Sequence, residues 1–404
     1  MQQRRILTVF GTRPEAIKLA PVILELARRQ APAHGCEQPQ GPTCGHFESR
    51  ICVTGQHREM LDQVLQWFGL VPDYDLNLMM PNQTLAGFAS RALAALSDLF
   101  EQVQPDVVLI QGDTTTVMIA ALAAFYQRIR VGHVEAGLRT HNRYDPFPEE
   151  INRRMATVLA TYHFAPTKAA AAALLVEQVP ADDIFITGNT VIDALLMTAE
   201  RSAAGAIDLD SGFVLDCAGA QRSADGGSQN GTHLILVTAH RRESFGAPLT
   251  AVCSALRVLA ERNPDVRIVY PVHPNPNVRE PVTRLLGGLP RIHLLQPLRY
   301  EQFVHLMACC TLILTDSGGI QEEASALHKP VLVLRDTTER PEAIEAGVAR
   351  LVGTDPERIV TETEGLLRDE GRYRSMAAGA CPFGDGHAAE RIVDILIARL
   401  GGGV

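Results

Sequence analysis

The sequence has no excess of positive charge. Lysine and arginine number 37 against 46 aspartates and glutamates, which gives a formal net charge of -9. Nucleic acids and anionic membrane surfaces bind proteins that carry a basic field, so this balance excludes both classes of partner. An anionic ligand would have to be held by a few placed arginines, lysines and backbone N–H groups, as nucleotides and sugar phosphates are.

The sequence also lacks metal-type cysteine spacing and long apolar runs. Its eight cysteines form no C-x-x-C pair and no zinc-like spacing with histidine, which predicts buried thiols in a reducing compartment. The longest uncharged apolar runs, Val117 to Tyr126 and Ala169 to Val176, fall well short of the roughly 20 residues that span a bilayer. Residues 6–11 are too short for the core of a signal peptide. We therefore expect a cytoplasmic protein with no membrane segment.

What the sequence does contain is a regular alternation of short β-branched runs and helix-like segments. The chain has 404 residues, of which 46% are hydrophobic, and this length favours two globular domains. One series of alternating segments runs from Ile6 to Thr187, with a strand predicted over Val107–Ile110 and a helix over Thr115–Tyr126, and a second series opens at Leu234. This rhythm predicts parallel sheets with helices on both faces. The predicted fold class is α/β, with two Rossmann-like, doubly wound parallel-sheet domains that face a cleft.

A segment rich in Gly, Ser, Asp and Gln interrupts the alternation and is interpreted as a linker or inserted loop at 204–232. This places the N-terminal domain at 1–203 and the C-terminal domain at 233–386. A C-terminal helix over about 387–404 is expected to pack back on the first domain. A second polar patch, at 31–45, is predicted to be a surface insertion.

The first predicted strand ends in a turn that suits a phosphate. Glycine permits a tight turn, Pro14 suits the first position of a helix, and Arg13 and Lys18 place positive charge near the helix N-terminus. The turn lacks the further glycines of a dinucleotide-binding loop and the G-K-[ST] end of a Walker A loop. On spacing alone, an ordinary solvated turn is an equally good interpretation.

Three carboxylates of the first domain stand at predicted strand ends or helix starts. Asp113 follows the third strand, Glu135 lies at the end of the fourth, and Glu149 starts a helix that carries Arg153 on the same face. Asp113 taken alone is explained more simply as a helix cap, whereas a carboxylate at Glu135 should be hydrogen-bonded or functional. Together the three suit proton transfer. Their spacing to nearby histidines matches no metal motif, so we expect no metal.

The second domain carries residues that suit a nucleotide. His240 follows its first strand, although a single histidine there is more often structural. Ser317, Gly318 and Gly319 stand where a strand meets a helix, and backbone N–H groups at a helix N-terminus bind pyrophosphate. Glu323 follows one turn later, where it can accept hydrogen bonds from a ribose diol. Together these strand ends favour a nucleoside-diphosphate ligand.

Eight strings of the sequence form a longer pattern. In chain order they are GTRPEAIKLAP, TGQHREMLD, GDTTT, HVEAGLRT, PFPEEINR, HRRES, SGGIQEEA and RDTTERPEA. In this order, along nearly the whole chain, they resemble the non-hydrolysing UDP-N-acetylglucosamine 2-epimerases of bacteria. The resemblance implies a glycosyltransferase-B arrangement of the two domains, and reversible conversion of UDP-N-acetylglucosamine to UDP-N-acetylmannosamine without metal or nicotinamide. The predicted insertions near 31–48 and 204–232 touch none of these strings.

The resemblance also implies roles for individual residues. The residues implied to hold the uridine diphosphate are Arg13, Lys18, His240, Phe303, Ser317, Gly318, Gly319, Glu323 and Arg340. The implied acid/base set is Asp113, Glu135 and Glu149, with Arg153 near them and His240 assisting departure of the diphosphate. Gln56 and His57 match part of a site where relatives bind a second substrate molecule as an activator, but Glu59 and Asn82 differ from some of those relatives. We also expect a homodimer.

The implied mechanism is elimination of UDP to a 2-acetamidoglucal, followed by re-addition, in the synthesis of cell-surface polysaccharide precursors. Three alternatives stay open. A hydrolysing epimerase would release free N-acetylmannosamine and UDP, but its first loop usually contains GTRAD instead of the GTRPEAIK found here. A glycosyltransferase of the same architecture has no reason for three carboxylates in the first domain. A non-catalytic sensor of nucleotide sugars would need neither Asp113 nor Glu135.

Overall fold

The protein forms two compact units. Its structure, a computed structural model, describes residues 4–30, 47–55, 58–202, 207–208, 214–215 and 232–401. One unit comprises Met1–Ala194 with Phe383–Val404, and the other comprises Leu195–Pro382. The domain boundaries expected from the sequence stay a prediction. Most of the proposed linker at 204–232 and the whole patch at 31–45 lie outside the described residues.

The first unit is built on a parallel sheet in which seven strands are described. They are β1 (Arg4–Phe10), β2 (Phe47–Val53), β3 (Tyr74–Asp75), β4 (Val107–Gln111), β5 (Arg130–Val134), β6 (Tyr162–Ala165) and β7 (Ile184–Ile186). Their spatial order is β3-β2-β1-β4-β5-β6-β7. Strand β4 is buried along its whole length, and β1 and β5 nearly so. Strands covered on both faces need continuous apolar runs, and these runs are what the sequence pattern identified.

Helices connect these strands. They are α1 (Arg13–Arg29), α2 (Arg58–Phe68), α3 (Leu85–Val103), α4 (Thr115–Tyr126), α5 (Glu149–Leu159), α6 (Lys168–Val176) and α7 (Thr190–Ser202). The chain winds outward from β1 to β3, returns through α3 to β4, and then winds the other way. The order therefore reverses between β1 and β4, the position where open α/β sheets bind their ligands.

The second unit repeats this plan with six described parallel strands. They are β10 (His233–Thr238), β11 (Val266–Pro271), β12 (Ile292–Leu295), β13 (Leu312–Thr315), β14 (Val331–Val333) and β15 (Ala349–Leu351), after a short antiparallel pair, β8 (Ile207–Asp208) and β9 (Val214–Leu215). The order is β12-β11-β10-β13-β14-β15, so the reversal lies between β10 and β13. Its helices are α8 (Ala247–Arg262), α9 (Pro276–Leu286), α10 (Tyr300–Cys309), α11 (Gly318–Ala326), α12 (Pro341–Glu345), α13 (Pro356–Arg368) and α14 (Glu370–Ala377).

The last helix, α15 (Ala388–Gly401), belongs to the first unit and packs against α1. Arg29 of α1 forms an ion pair with Asp394. The backbone N–H of Ala389 donates to Asp193 at the start of α7, over 2.8 Å. The carboxylate of Asp193 thus satisfies a free N–H group in the first turn of α15, which attaches the helix to the first unit.

The fold class expected from the sequence, two Rossmann-like parallel-sheet domains, is confirmed. Among the described residues, no helix combines the length and the apolar character needed to cross a bilayer. The expectation of thiols throughout is wrong at Cys309, which is disulfide-bonded. Local spacing could not indicate this, because disulfide pairing depends on the distance between Cα atoms in the folded chain.

Gly137 allows the loop after β5 to lie directly on α6. Its φ is +92°, and a Cβ there would lie 2.2 Å from the carbonyl oxygen of Ala170. Gly69 has a similar φ of +69°, but no atom lies within 4 Å of its Cβ position. We expect Gly137→Ala to destabilise the protein by about 1–3 kcal/mol more than Gly69→Ala, because only the first substitution adds an overlap to the left-handed strain. Urea unfolding of both variants measures the difference. Equal losses would show that α6 yields to the added methyl group at little cost.

Candidate active site

The turn between β1 and α1 is held by a buried carboxylate. Glu15 accepts hydrogen bonds from the backbone N–H groups of Gly11 and Thr12, at 3.0 and 2.7 Å, and from the hydroxyl of Thr114 at 2.7 Å. Burial raises the pKa of Glu15, and these hydrogen bonds oppose the rise. The first two bonds form the N-terminal cap of α1, and the third joins this turn to the turn after β4. Arg13, the first residue of α1, is therefore held beside the Asp113 turn.

Asp113 lies in the turn between β4 and α4. Arg153 of α5 donates to its Oδ2 atom at 2.5 Å, and the side chain of Asn152 donates to its backbone carbonyl at 3.0 Å. Burial raises the pKa of Asp113, Glu135 adds to the rise, and Arg153 and Lys18 oppose it. Its side chain is still 30% exposed, so the carboxylate is accessible to a substrate. A raised pKa suits a carboxyl group that exchanges protons near neutral pH.

Glu135 follows β5 with a φ of +63°, a conformation rare for a residue with a side chain. Its carboxylate is almost fully buried and accepts hydrogen bonds from three residues. Lys18 donates to both oxygens, at 2.6 and 2.7 Å, Gln111 donates to Oε2, and Asn189 donates to Oε1 at 3.1 Å. This donor set stabilises the ionised form. Backbone strain at a residue so firmly held is typical of a functional site.

Two adjacent glutamates at the start of α5 have different environments. Glu149, the first residue of the helix, is half-buried and has no hydrogen bond to another described residue. Glu150 is buried and accepts the backbone N–H groups of Thr140 and His141, at 3.1 and 3.2 Å. Arg153 pairs with Asp113 and lies 3.5 Å from Glu150. Glu150 therefore fixes the loop before α5, whereas the carboxylate of Glu149 forms no hydrogen bond with a described residue.

Sequence reasoning missed the two amides that hold Glu135. Gln111 is the last residue of β4, and Asn189 follows Gly188 after β7. The available signal was the rule applied to Asp113, namely that a polar residue at the carboxyl end of a buried parallel strand faces the site. Asn189 is further secured because its backbone N–H donates to the carbonyl of Phe383 at 2.7 Å. The segment before α15 thus supports a residue that binds Glu135.

The second unit places His240 just after β10. Its ring is stacked on that of His273, with centroids 5.3 Å apart and an angle of 11° between the planes. The side chain is 40% exposed. Burial lowers the pKa of His240, His273 and Arg241 lower it further, and Asp316 opposes them. His273 was not singled out in the sequence, and its place after β11 is the only local signal for it.

The Ser-Gly-Gly segment caps and opens α11. Ser317 is the N-cap residue, and its N–H donates to Thr315 at 3.0 Å. A Cβ at Gly319 would meet no atom within 4 Å, whereas one at Gly318 would lie 3.2 Å from a carboxylate oxygen of Glu339. The first N–H groups of a helix have no partner within the helix, so those of Gly318 and Gly319 at the start of α11 are candidate donors to an anion, and the exposed Gly319 leaves room beside them. Glu323 lies half-buried on the same helix.

The remaining predicted UDP-binding residues of the second unit are Arg340 and Phe303. Arg340 precedes α12 and forms an ion pair with Glu322 on α11, whose side chain is only 5% exposed. Phe303 lies half-buried on α10. The start of α11 thus offers backbone N–H donors, and Arg340 places a positive charge beside the same helix through its ion pair with Glu322. The predicted activator residues Gln56 and His57 lie outside the described residues.

A cavity of about 960 Å³ in the first unit lies away from these residues. It opens between α5 and α6 and is lined by Arg154, Thr157, His163 and Glu177, among others. None of the predicted site residues lines it. Within the described parts of the chain, no group of three or more His, Cys, Asp or Glu side chains is placed to hold a metal ion.

Comparisons with known proteins identify the family of the chain. The chain matches the family model described as UDP-N-acetylglucosamine 2-epimerase over residues 43–397. It is 52% identical over 392 residues to the UDP-N-acetylglucosamine 2-epimerase of Escherichia coli (strain K12), covering 97% of this chain and 98% of that protein.

Two solved structures are similar over nearly the full length. The UDP-GlcNAc 2-epimerase from Neisseria meningitidis, bound to UDP-GlcNAc, has 46% identity and a TM-score of 0.81, covering 98% of this chain and 100% of that one. The co-structure of S. aureus MnaA with UDP has 42% identity and a TM-score of 0.78, with coverage of 98% and 97%.

Proposed function

The chain belongs to the UDP-N-acetylglucosamine 2-epimerase family, and on this premise we propose that it interconverts UDP-N-acetylglucosamine and UDP-N-acetylmannosamine without releasing the free sugar. The family recognised from the eight sequence strings is thus confirmed, and the mode of reaction is the proposed part. The observation that carries it is the pair of carboxylates at the carboxyl ends of the neighbouring strands β4 and β5, Asp113 with a raised pKa and Glu135 hydrogen-bonded by Lys18, Gln111 and Asn189. We assign the product to cell-surface polysaccharide synthesis.

The chemistry requires UDP to leave before the proton does. The hydrogen on C2 is not acidic in the substrate, because C1 is an acetal carbon and not a carbonyl. When the C1–O bond breaks, its electron pair stays on the diphosphate and C1 becomes positive. The C2–H bond can then release its proton to a base, and its electrons form the C1=C2 double bond of 2-acetamidoglucal. Protonation of C2 from the opposite face and return of UDP to C1 give the epimer.

The first unit offers distinct roles for its carboxylates in this scheme. Asp113 suits proton transfer, because its pKa is raised and no other described residue bonds its Oδ1 atom. Glu149 is half-buried and forms no hydrogen bond with a described residue. We therefore assign it the transfer of the proton on the opposite face of C2. Glu135 is occupied by Lys18, Gln111 and Asn189, and its fixed negative charge suits stabilisation of the positive C1.

The second unit supplies the residues proposed for UDP. The N–H groups of Gly318 and Gly319 at the start of α11 suit the diphosphate, and Glu323 on the same helix suits the ribose. His240 and Arg340 supply positive charge for the departing diphosphate, and Arg13 and Lys18 of the first unit are proposed to bind the same ligand. The elimination and re-addition steps contain no oxidation or reduction, so this scheme requires no hydride carrier.

Reaction in heavy water tests the proposal. We expect deuterium at C2 of the product UDP-N-acetylmannosamine and, at equilibrium, at C2 of recovered UDP-N-acetylglucosamine, as followed by NMR. Epimerisation that leaves C2 without deuterium would refute the elimination scheme. Free N-acetylmannosamine with UDP would indicate the hydrolysing class, and an unchanged substrate would indicate a transferase or a sensor.

A further inference from the structure

One carboxylate oxygen of Asp316 is buried and accepts no hydrogen bond from a described residue. The residue follows β13 directly and is 0% exposed. Its Oδ2 atom accepts the backbone N–H groups of His240 and Arg241, both at 2.8 Å, and lies 3.3 Å from the hydroxyl of Ser244. Its Oδ1 atom is buried and accepts no hydrogen bond from the residues that the structure describes. An unpaired buried carboxylate oxygen is costly, so a donor that reaches it in some state of the enzyme is expected.

The ring of His240 can supply a hydrogen-bond donor to Oδ1 of Asp316. Its Nδ1 atom lies 3.7 Å from Oδ1 of Asp316, slightly beyond a hydrogen bond. The two residues are placed by adjacent strands, because Thr238 of β10 and Thr315 of β13 are partners in register and their hydroxyls are 2.6 Å apart. The backbone of His240 is already bonded to Asp316, so only a small rotation of the ring is needed to close the remaining gap.

We propose that Asp316 is a positioning residue for His240, whose Nδ1–H it accepts so that Nε2 points outward and can take up a proton beside the diphosphate. The consequence for catalysis rests on the proposed function, whereas the pairing itself does not. His273 is stacked on the ring of His240, which restricts tilting of the ring out of its plane. A carboxylate that holds the second nitrogen of a histidine sets its tautomer and stabilises its charged form.

A purely structural role for Asp316 makes a different prediction. The two backbone N–H groups need only one acceptor oxygen, which the side-chain amide of asparagine also supplies. If Asp316 served the loop alone, Asp316→Asn would therefore leave the titration of His240 unchanged. If Asp316 supports the ring, the variant removes a full negative charge 3.7 Å from Nδ1.

The titration of His240 in the full-length, ligand-free protein separates these roles. The groups that face the ring are Asp316, His273 and Arg241. We expect the His240 pKa to fall by about 1 unit in Asp316→Asn, the low end of the effect of a neighbouring opposite charge, because the ring is partly exposed. NMR of ¹⁵N-histidine-labelled protein measures it, with His240→Asn to assign the signal. An unchanged His240 pKa in a folded Asp316→Asn protein would overturn the proposal.

A matched control removes a nearby charge that does not contact the ring. Glu243 is 54% exposed and pairs with Arg335 at 2.9 Å, and Glu243→Gln should leave the His240 pKa within about 0.3 units because exposed charges are screened. If Asp316→Asn fails to fold, the wild-type ¹⁵N shifts still decide. The proposal requires the neutral ring to carry its proton on Nδ1, and a neutral ring protonated on Nε2 would contradict it.

The pH profile connects the pairing with catalysis. If the charged ring assists departure of the diphosphate, kcat/KM falls as pH rises through the His240 pKa of the free enzyme, and in Asp316→Asn this fall occurs at lower pH by the same shift that NMR measures. A shifted titration with an unshifted kcat/KM profile would retain the pairing and remove His240 from the proposed chemistry. An unshifted titration with deuterium still entering C2 would retain the proposed function and reject the pairing.

Discussion

Asp113→Asn is expected to lower kcat for epimerisation by about 10²- to 10⁴-fold, the usual contribution of a positioned acid or base. Asparagine keeps the size of the side chain and can still contact Arg153, but it cannot take up the C2 proton. The same variant should lose deuterium incorporation at C2 in proportion. The affinity for UDP alone should change little, because the proposed diphosphate donors belong to other residues. Steady-state kinetics and calorimetric titration with UDP measure the two effects.

Asp98→Asn is the matched control for this substitution. Asp98 lies exposed on α3, away from the carboxyl ends of the strands, and the same atoms are changed. We expect wild-type kcat for it. Wild-type turnover in Asp113→Asn would remove Asp113 from the acid/base set. A parallel loss in both variants would point to a general effect of the substitution.

Lys18→Met is expected to reduce both stability and activity. It removes the cation that pairs with the buried carboxylate of Glu135 and keeps the amide donors of Gln111 and Asn189. We expect a loss of about 3 kcal/mol, the low end for breaking a buried ion pair, because Lys18 is 23% exposed. The value of kcat should fall by about 10²- to 10³-fold, since the charge arrangement proposed at C1 is lost. Thermal unfolding and steady-state kinetics are the measurements.

The double variant Lys18→Met/Glu135→Gln separates the two losses. With no buried charge left unpaired, most of the lost stability should return, while the activity should not. The double-mutant cycle also measures the coupling energy of the pair. Recovery of activity in the double variant would show that neither charge takes part in the reaction. If Lys18→Met alone kept its full stability, the ion pair would contribute little to the fold.

Several elements could be predicted because their signals are local. The sequence predicted a strand over Val107–Ile110 and a helix over Thr115–Tyr126, and β4 and α4 have nearly these bounds. A continuous apolar run, a glycine turn and a capping threonine all lie within twenty residues of chain. Two elements had no comparably clear signal, α3 (Leu85–Val103) and the four-residue strand β6 (Tyr162–Ala165). Strand β6 includes a tyrosine and a histidine, and its burial comes from its neighbours in the sheet.

The candidate site was predictable in part. The sequence placed Asp113, Glu135 and Glu149 at strand ends or helix starts, but it did not distinguish their environments. The structure differs for each of them: an ion pair for Asp113, hydrogen bonds from Lys18, Gln111 and Asn189 for Glu135, and no hydrogen bond with a described residue for Glu149. Glu150, which is not among the predicted site residues, is the buried member of the adjacent pair Glu149 and Glu150.

The sequence by itself determined the class of fold, the strand–turn–helix units and the family. Apolar periodicity, caps and turns depend on residues close along the chain, so their energetics are visible without the folded structure. Tertiary structure alone decided that Lys18, Gln111 and Asn189 meet at Glu135, and that Asp316 lies beside His240. These contacts join residues that are 24 to 117 positions apart. They arise from the order in which the strands enter each sheet, and no local interaction specifies that order.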